Sequence, residues 1–275
     1  MAGTLYVVAT PLGNLGDLSP RAADTLKNVA AVAAEDTRHT KTLVAHVGSH
    51  AELISFHAHS SERALERILD LLGTGKDIAL VTDAGTPTVS DPGAALVAAA
   101  RARDIPVVTI PGPTAVAAAL AVSGLPADRY AFFGFLPRKG TDRRRLLDLI
   151  ARSEWTAVVF EAPNRVADLL SDLAEVCGDD RQVAVSRELT KVFEETRAGT
   201  LAELAGYYAE APPRGEVTVV VSGTGKAAPE EVLIDPEVRA RALLAQGMTR
   251  KDVAEQIAEE TGISRNAAYR LVNEL

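Results

Sequence analysis

With a single cysteine, Cys177, this 275-residue chain has no partner for an intramolecular disulfide and no thiolate set for a metal cluster. Cys177 therefore reads as a small buried hydrophobe. Aromatic residues are scarce, 4% against 47% hydrophobic overall, so alanine and the aliphatic side chains must fill the interior. No stretch reaches 18 uninterrupted apolar residues, and the start Met1–Val8 lacks the basic flank and length of a signal peptide. A cytoplasmic protein without a membrane span is expected. Basic residues are outnumbered too, 29 against 37 acidic, and the net charge of −8 argues against a surface that grips nucleic acid all over.

What the chain does have is length, enough to bury roughly three quarters of its unfolded surface in two domains and an appendage. It also has one local concentration of cations, Arg138, Lys139, Arg143, Arg144 and Arg145, on a loop running into a helix. That stretch is either a nucleic-acid patch or a solvated helix face.

Short apolar runs alternate with amphipathic segments from residue 4 to about 122. Strands are expected at Leu5–Ala9, Ala30–Ala34, Leu53–Ile54, Ile78–Val81 and Val107–Ile110, and helices near 19–28, 37–47, 60–72, 93–103 and 114–122. The alternation predicts an α/β domain, 1–122, with a largely parallel sheet covered on both faces. Ser123–Asp128, broken by Gly124 and Pro126, is the expected hinge to a second α/β domain, 123–225. Its strands are expected at Tyr130–Phe133, Ala157–Phe160, Val183–Val185, Val192–Ala198 and Val217–Val221, with helices near 141–152, 165–176 and 200–209. Gly223–Asp235 reads as a linker. In 237–275 two amphipathic stretches, Lys251–Glu260 and Arg265–Glu274, flank a turn at Gly262, with Ile257, Ala258, Ile263, Ala268 and Leu271 spaced to pack them together. This is a small helix-turn-helix pattern, for which a generic dimerisation hairpin is the alternative.

Three expected strand ends run into turns dense in glycine and proline: Ala9–Gly16, Asp83–Gly93 and Pro111–Thr114. Ligands of open α/β sheets bind at the carboxyl ends of strands, where glycine admits close backbone approach and helix starts present free N–H groups. Three such turns in one domain point to a binding crevice. It is not a familiar one. Gly73–Lys76 and Gly223–Lys226 lack the first glycine and final hydroxyl of a P-loop, and no G-x-G-x-x-G turn, serine elbow or H-E-x-x-H helix occurs. All five histidines fall between 39 and 59. A metal site is not expected from them, because Gly48 separates His46 from His50 and the rings of His57 and His59 on an extended segment point to opposite faces. His57 or His59 is the better candidate for an active-site role.

The strings Gly3–Arg21, Ala34–Thr40, Ser55–His59, Asp83–Pro87 with Ser90–Gly93, Ile110–Pro113, Gly134–Pro137 and Arg187–Lys191 occur in order and together resemble the ribosomal RNA methyltransferases of the tetrapyrrole methylase superfamily, over about residues 3–222. The resemblance implies two α/β domains with the methyl donor in the cleft between them, usually in a homodimer. It implies S-adenosylmethionine as cofactor and 2′-O-methylation of a cytidine ribose in the decoding region of 16S ribosomal RNA, free or in the small subunit. Carried over by motif, the donor site would use Thr10, Pro11 and Leu12, then Asp83, Ala84, Gly85, Thr86 and Pro87, then Pro111, Gly112, Pro113, Thr114 and Ala115. Phe160, Glu161 and Ala162, with Gly215 and Glu216, would close it by strand position. Where relatives usually carry an acidic residue between the two histidines this chain has Ala58, so no acidic role is expected there.

Methyl transfer from a sulfonium needs alignment above all, and a ribose hydroxyl needs a base or a cationic neighbour to become a good nucleophile. The candidates are Asp36, Arg38, His57, Glu188 and Lys191, with Asp36 and Glu188 equally readable as structural ion-pair partners. RNA would meet Arg138–Arg145 and, on the last helix, Arg265 and Arg270. A tetrapyrrole substrate and a non-catalytic RNA-binding regulator are the alternatives.

Overall fold

Alternation along four-residue strands decides which face of the first sheet each side chain joins. Strands β1 (Leu5–Val8), β2 (Ala31–Ala34), β3 (Glu52–Ser55), β4 (Ile78–Val81) and β5 (Val107–Ile110) form one sheet in the order β3-β2-β4-β1-β5, every pairing parallel. Ala31, Ala33, Ile78 and Leu80 pack on one face against α3 (Glu62–Gly73) and α4 (Ala94–Ala102). Their neighbours Val32, Ala34, Ala79 and Val81 pack on the other against α1 (Pro20–Asn28) and α2 (Thr37–His46). Each fully covered aliphatic side chain in such a sandwich contributes about 1.5–3 kcal/mol. Short polar residues set the helix starts: Ser19 and Ser61 cap α1 and α3, and the Asp36 carboxylate accepts the Arg38 amide at the start of α2.

This structure, a computed structural model, describes residues 2–58, 60–225, 236–261 and 263–275. It divides into two compact units, Met1–Gly225 and Lys226–Leu275. Within the first unit, helix α5 (Ala115–Ser123) leaves the parallel sheet and lies on a second one. That sheet has the order β6-β7-β10-β8-β9 and is mixed, with β6 (Tyr130–Phe135) parallel to β7 (Thr156–Glu161). The strands β8 (Gln182–Arg187), β9 (Glu195–Thr200) and β10 (Val217–Val221) all pair antiparallel. One face packs on α6 (Thr141–Arg152), α7 (Val166–Cys177) and α8 (Leu201–Glu210). The other, through Val158, Ala184 and Val220, meets Val116, Ala119 and Leu120 of α5 and Leu12 of the turn after β1. The two sheets therefore share a core.

Two expectations need correction. The strand placed at Val192–Ala198 begins only at Glu195, because β9 is an edge strand of mostly polar sequence, while the apolar pair Val192 and Phe193 stands out on the preceding loop, 93% and 71% exposed. Arg143 is no part of an exposed basic patch: it is 8% exposed, and its guanidinium binds the Asp172 carboxylate at 2.6–2.8 Å and the Pro137 carbonyl at 3.0 Å. Helical phase turns residue 143 inward while Arg144 and Arg145 stay outside, as do Arg138 and Lys139 on the loop before α6.

The second unit has its own core. Helices α9 (Pro236–Ala245), α10 (Arg250–Thr261) and α11 (Arg265–Glu274) bury Ala240, Leu243, Val253, Ala254, Ile257, Ala268 and Val272. Ala258, Ile263 and Leu271 pack at its margin, and the periodic sequence had left α9 out. Arg265 and Arg270 are exposed. Gly262, most of the linker and His59 lie outside the described residues.

Candidate active site

The connections after β1 and β4 run to opposite faces of the parallel sheet, so a crevice opens at the carboxyl ends of these neighbouring strands. The turns there are fastened to one another. Thr10 and Gly85 exchange both main-chain hydrogen bonds, at 2.8 and 3.1 Å, and the Thr10 hydroxyl donates to the Thr82 carbonyl at 3.1 Å. Gly85 sits at φ +84°, where a side chain is strained. Thr82 in turn donates its hydroxyl to Glu35 at 2.6 Å, and Thr86 donates to the Pro113 carbonyl at 3.3 Å. Thr88 and Ser90 also hold left-handed conformations, at φ 74° and 63°, strain of a kind that recurs at binding sites.

The second sheet closes this crevice into a cleft of about 340 Å³. Phe135, Phe160, Glu161, Ala162 and Pro163 come from the ends of β6 and β7, and Glu216, Val217 and Thr218 from the start of β10. Rings Phe132, Phe160 and Phe135 meet edge to face with centroids 4.8 and 5.6 Å apart, leaving Phe135 60% exposed. Glu161 is fully buried. One of its oxygens accepts the Ala162 amide at 2.8 Å, while the other lies 3.2 Å from the Arg165 guanidinium without hydrogen-bond geometry.

Of the residues expected at the donor site, Leu12, Asp83, Ala84, Gly85, Thr86, Thr114, Ala115, Phe160, Glu161, Ala162 and Glu216 line the cleft. Thr10, Pro11, Pro87, Pro111, Gly112 and Pro113 do not; Thr10 works behind the wall, and Gly112 and Pro113 face a shallow depression beside it with Thr190. Glu35, Thr82, Asp91 and Phe135 are lining residues that the motifs contained without singling them out. For Glu35 and Thr82 the signal was a carboxylate or hydroxyl directly following a buried parallel strand.

None of the five catalytic candidates lines the cleft. Asp36 and Arg38 pair with each other, and that hydrogen bond holds the Asp36 carboxyl well below the usual range while raising Arg38. Asp83 binds the Asp36 amide at 3.1 Å and meets the His39 ring at 3.2 Å. Asp36, His39 and Asp83 are the group among the described residues with ligand atoms close enough for a metal ion, but Arg38 already occupies both Asp36 oxygens. Lys191 binds Glu188 at 3.0 Å and Glu216 at 3.1 Å, and its stem lies over Gly13 of the turn after β1. The Lys191 hydrogen bond lowers the Glu188 pKa against the cost of burial. Burial pulls the Lys191 ammonium down, yet its bonds to Glu188 and Glu216 outweigh this and leave it raised. Both pairs are thus fixed in the charged state. His57 lines a separate cavity with Asp91, whose carboxyl is pushed up to about 6, chiefly by burial and then by the Glu35 charge, against a Thr82 hydrogen bond.

The sequence profile of the Tetrapyrrole (Corrin/Porphyrin) Methylases matches residues 4–205. The chain is 47% identical over 269 residues to the ribosomal RNA small subunit methyltransferase I of Xylella fastidiosa, covering 97% of this chain and 98% of that protein. It is 46% identical to the protein of the same name from Synechocystis, covering 99% and 98%. Among solved structures it is similar to cobalt precorrin-4 methyltransferase, with a TM-score of 0.63 at 18% identity over 80% of this chain and 94% of the other. It is also similar to Thermus thermophilus uroporphyrin-III C-methyltransferase complexed with S-adenosyl homocysteine, with a TM-score of 0.58 at 20% identity over 80% and 97%.

Proposed function

The chain belongs to the tetrapyrrole (corrin/porphyrin) methylase family, and on that premise we propose that it transfers the methyl group of S-adenosylmethionine to the 2′-hydroxyl of a cytidine in the decoding region of 16S ribosomal RNA. The relatives that match over nearly their whole length, named as small-subunit ribosomal RNA methyltransferases, support this substrate. The observation that carries the reading is the cleft at the switch point of the parallel sheet, walled by five carboxylates, Glu35, Asp83, Asp91, Glu161 and Glu216.

The donor is a cation at sulfur and at its amine, and Glu35, Asp83 and Glu216 on that wall favour it. The buried Glu161 carboxylate, one oxygen of which lies beside Arg165 without a hydrogen bond, lines the cleft where a ligand hydroxyl or amine would meet it. Gly85 and the Thr10 bridge leave main chain exposed where a side chain would intrude, so the residues present fit the group. Once bound, the donor supplies an already activated methyl carbon. The protein aligns it. Thr10, Pro11, Pro87, Pro111, Gly112 and Pro113 set the turns, while Leu12, Thr86, Thr114, Ala115, Phe160 and Ala162 form the walls. Asp36 with Arg38 and Glu188 with Lys191 act in this reading as positioning pairs rather than as bases, since each is held charged by its partner.

RNA would be met by Arg138, Lys139, Arg144 and Arg145, with Arg265 and Arg270 of α11 as further phosphate contacts. The assembly proposed is a homodimer, which the exposed pair Val192 and Phe193 supports. Among the described residues no helix is long and apolar enough to cross a membrane, in keeping with the proposed cytoplasmic site of action.

The experiment is incubation of the protein with labelled S-adenosylmethionine and, in parallel, small ribosomal subunits, naked 16S RNA or a precorrin-type tetrapyrrole, followed by mapping of ribose methylation. Label on one cytidine 2′-oxygen is the expected result. Label on the tetrapyrrole alone would overturn it.

A further inference from the structure

A second cavity of about 300 Å³ adjoins the cleft, between the turn after β3 and the loop from β4 into α4. His57, Ser60, Ser61 and Glu62 give it polar walls, and Phe56, Leu65 and Pro92 an apolar floor. That volume is at the small end of ligand sites and suits one nucleoside, not a helix. Polar edges over an apolar floor are what an unstacked base requires, because single-stranded bases are held by their edges and faces together. Asp91 lines both this cavity and the cleft.

Its placement is fixed by the main chain. Ser90 before it is left-handed, Pro92 follows it, and Gly93 at φ +126° has no room for a side chain, since a Cβ would stand 2.7 Å from Leu80. Among the described residues Asp91 has no ion-pair partner, unlike Asp36 and Glu188, and the neighbouring Thr82 hydroxyl donates its one proton to Glu35. Glu35 also reaches the cleft, but it is bound to Thr82 and does not face the second cavity.

Building on the methyltransferase reading above, we propose that the second cavity receives the acceptor nucleoside and that Asp91 is the base that takes the proton of its ribose hydroxyl. As the hydroxyl oxygen bonds to the methyl carbon, its proton passes to the Asp91 carboxylate. The carbon–sulfur bond breaks with its electron pair going to sulfur, so the sulfonium becomes a neutral thioether. Asp91 then gives the proton to water. The groups that set its titration are Glu35 from the end of β2, Thr82 and Asp83 from the end of β4 and Glu216 before β10, while His57 and Glu62 line the second cavity with it. A base that titrates near neutral pH matches the pKa pushed up to about 6.

The test compares wild type, Asp91→Asn and Ala95→Leu in single-turnover methylation of small-subunit RNA, with donor affinity measured by calorimetry. Wild type should show a rate that rises with pH through an apparent pKa near 6. D91N should lose that limb and at least about 100-fold in rate while its donor affinity stays within about threefold. Ala95 lines only the second cavity of the two, so A95L should raise the RNA concentration for half-maximal rate about tenfold and leave the donor affinity alone. D91N methylating within about threefold of wild type would overturn the assignment. Loss of donor affinity in D91N would overturn it too, making Asp91 a donor ligand, and an unaffected A95L would remove the acceptor cavity. Wild type that binds the donor but leaves RNA unmethylated would instead sink the proposed function itself.

Discussion

The two sheets reach the same cleft by different physical means. The parallel sheet presents main chain: its strands end in glycine and proline turns that hydrogen-bond to one another, as Thr10 does to Gly85, and little there depends on where a long side chain points. The mixed sheet presents paired charges and rings, Lys191 between Glu188 and Glu216, and the Phe132, Phe160 and Phe135 cluster. Only β8 and β9 of this sheet are joined without a helix, and the loop between them fixes its place through the Lys191 side chain. The lesson is that the first half should be sensitive to backbone substitutions and indifferent to salt, and the second half the reverse.

The largest break is expected at Gly85. Gly85→Val forces a β-branched residue into φ +84° beside Leu12, and should lower stability by about 2 kcal/mol and weaken donor binding about tenfold or more, with no dependence on ionic strength. Denaturant unfolding and calorimetry at two salt concentrations check both parts. Its counterpart across the cleft, Gly215 at φ +79°, carries the same backbone strain, and there a Cβ would also stand 2.0 Å from a Glu188 carboxylate oxygen, a movable side chain.

Next comes Arg143. Arg143→Ala leaves Asp172 without its partner and strips two donors from the start of α6, which should cost about 1–3 kcal/mol, read as a fall in the unfolding midpoint. Glu188→Gln should cost less, on the order of 1 kcal/mol because the pair is partly exposed to solvent. Its pH dependence has a definite sign. A carboxylate whose folded pKa is depressed adds stability above its unfolded value near 4.5 and loses it as pH falls through the folded one. The gap between wild type and E188Q should therefore be widest at neutral pH, close on acidification and narrow in high salt.

The smallest effect on folding belongs to Arg144 and Arg145, next to Arg143 in sequence and opposite in burial. Replacing both by alanine should leave stability within about 0.5 kcal/mol while reducing the salt slope of RNA binding by about 1 to 2. An unchanged slope would remove this face from the RNA surface.

How far these contrasts could be read from sequence differs between the halves in the same way. The carboxyl-end turns Ala9–Gly16, Asp83–Gly93 and Pro111–Thr114 were legible because glycine and proline carry their conformational meaning wherever they occur. Eleven of the expected donor residues line the cleft. Arg143 was not legible. A run of cations looks uniform along the chain, and only the phase of α6 against α7 shows that one of them faces Asp172. Likewise Val192 and Phe193 carried the apolar signal of a strand, although the strand that pairs with β8 starts at the more polar Glu195. Residues Glu35 and Asp91 sat inside recognisable motifs, yet nothing in the string says that both close on one cleft.

The order of strands and helices and the parallel first sheet followed from local rules, since periodicity and turn chemistry act over a few residues, and the family followed from the resemblance of its ordered motifs. Which charges neutralise one another, which arginine is swallowed and which carboxylate stands unpaired between two cavities were decided by packing. Those properties depend on distances between segments far apart in the chain, and a distance across a fold is set by the whole core at once.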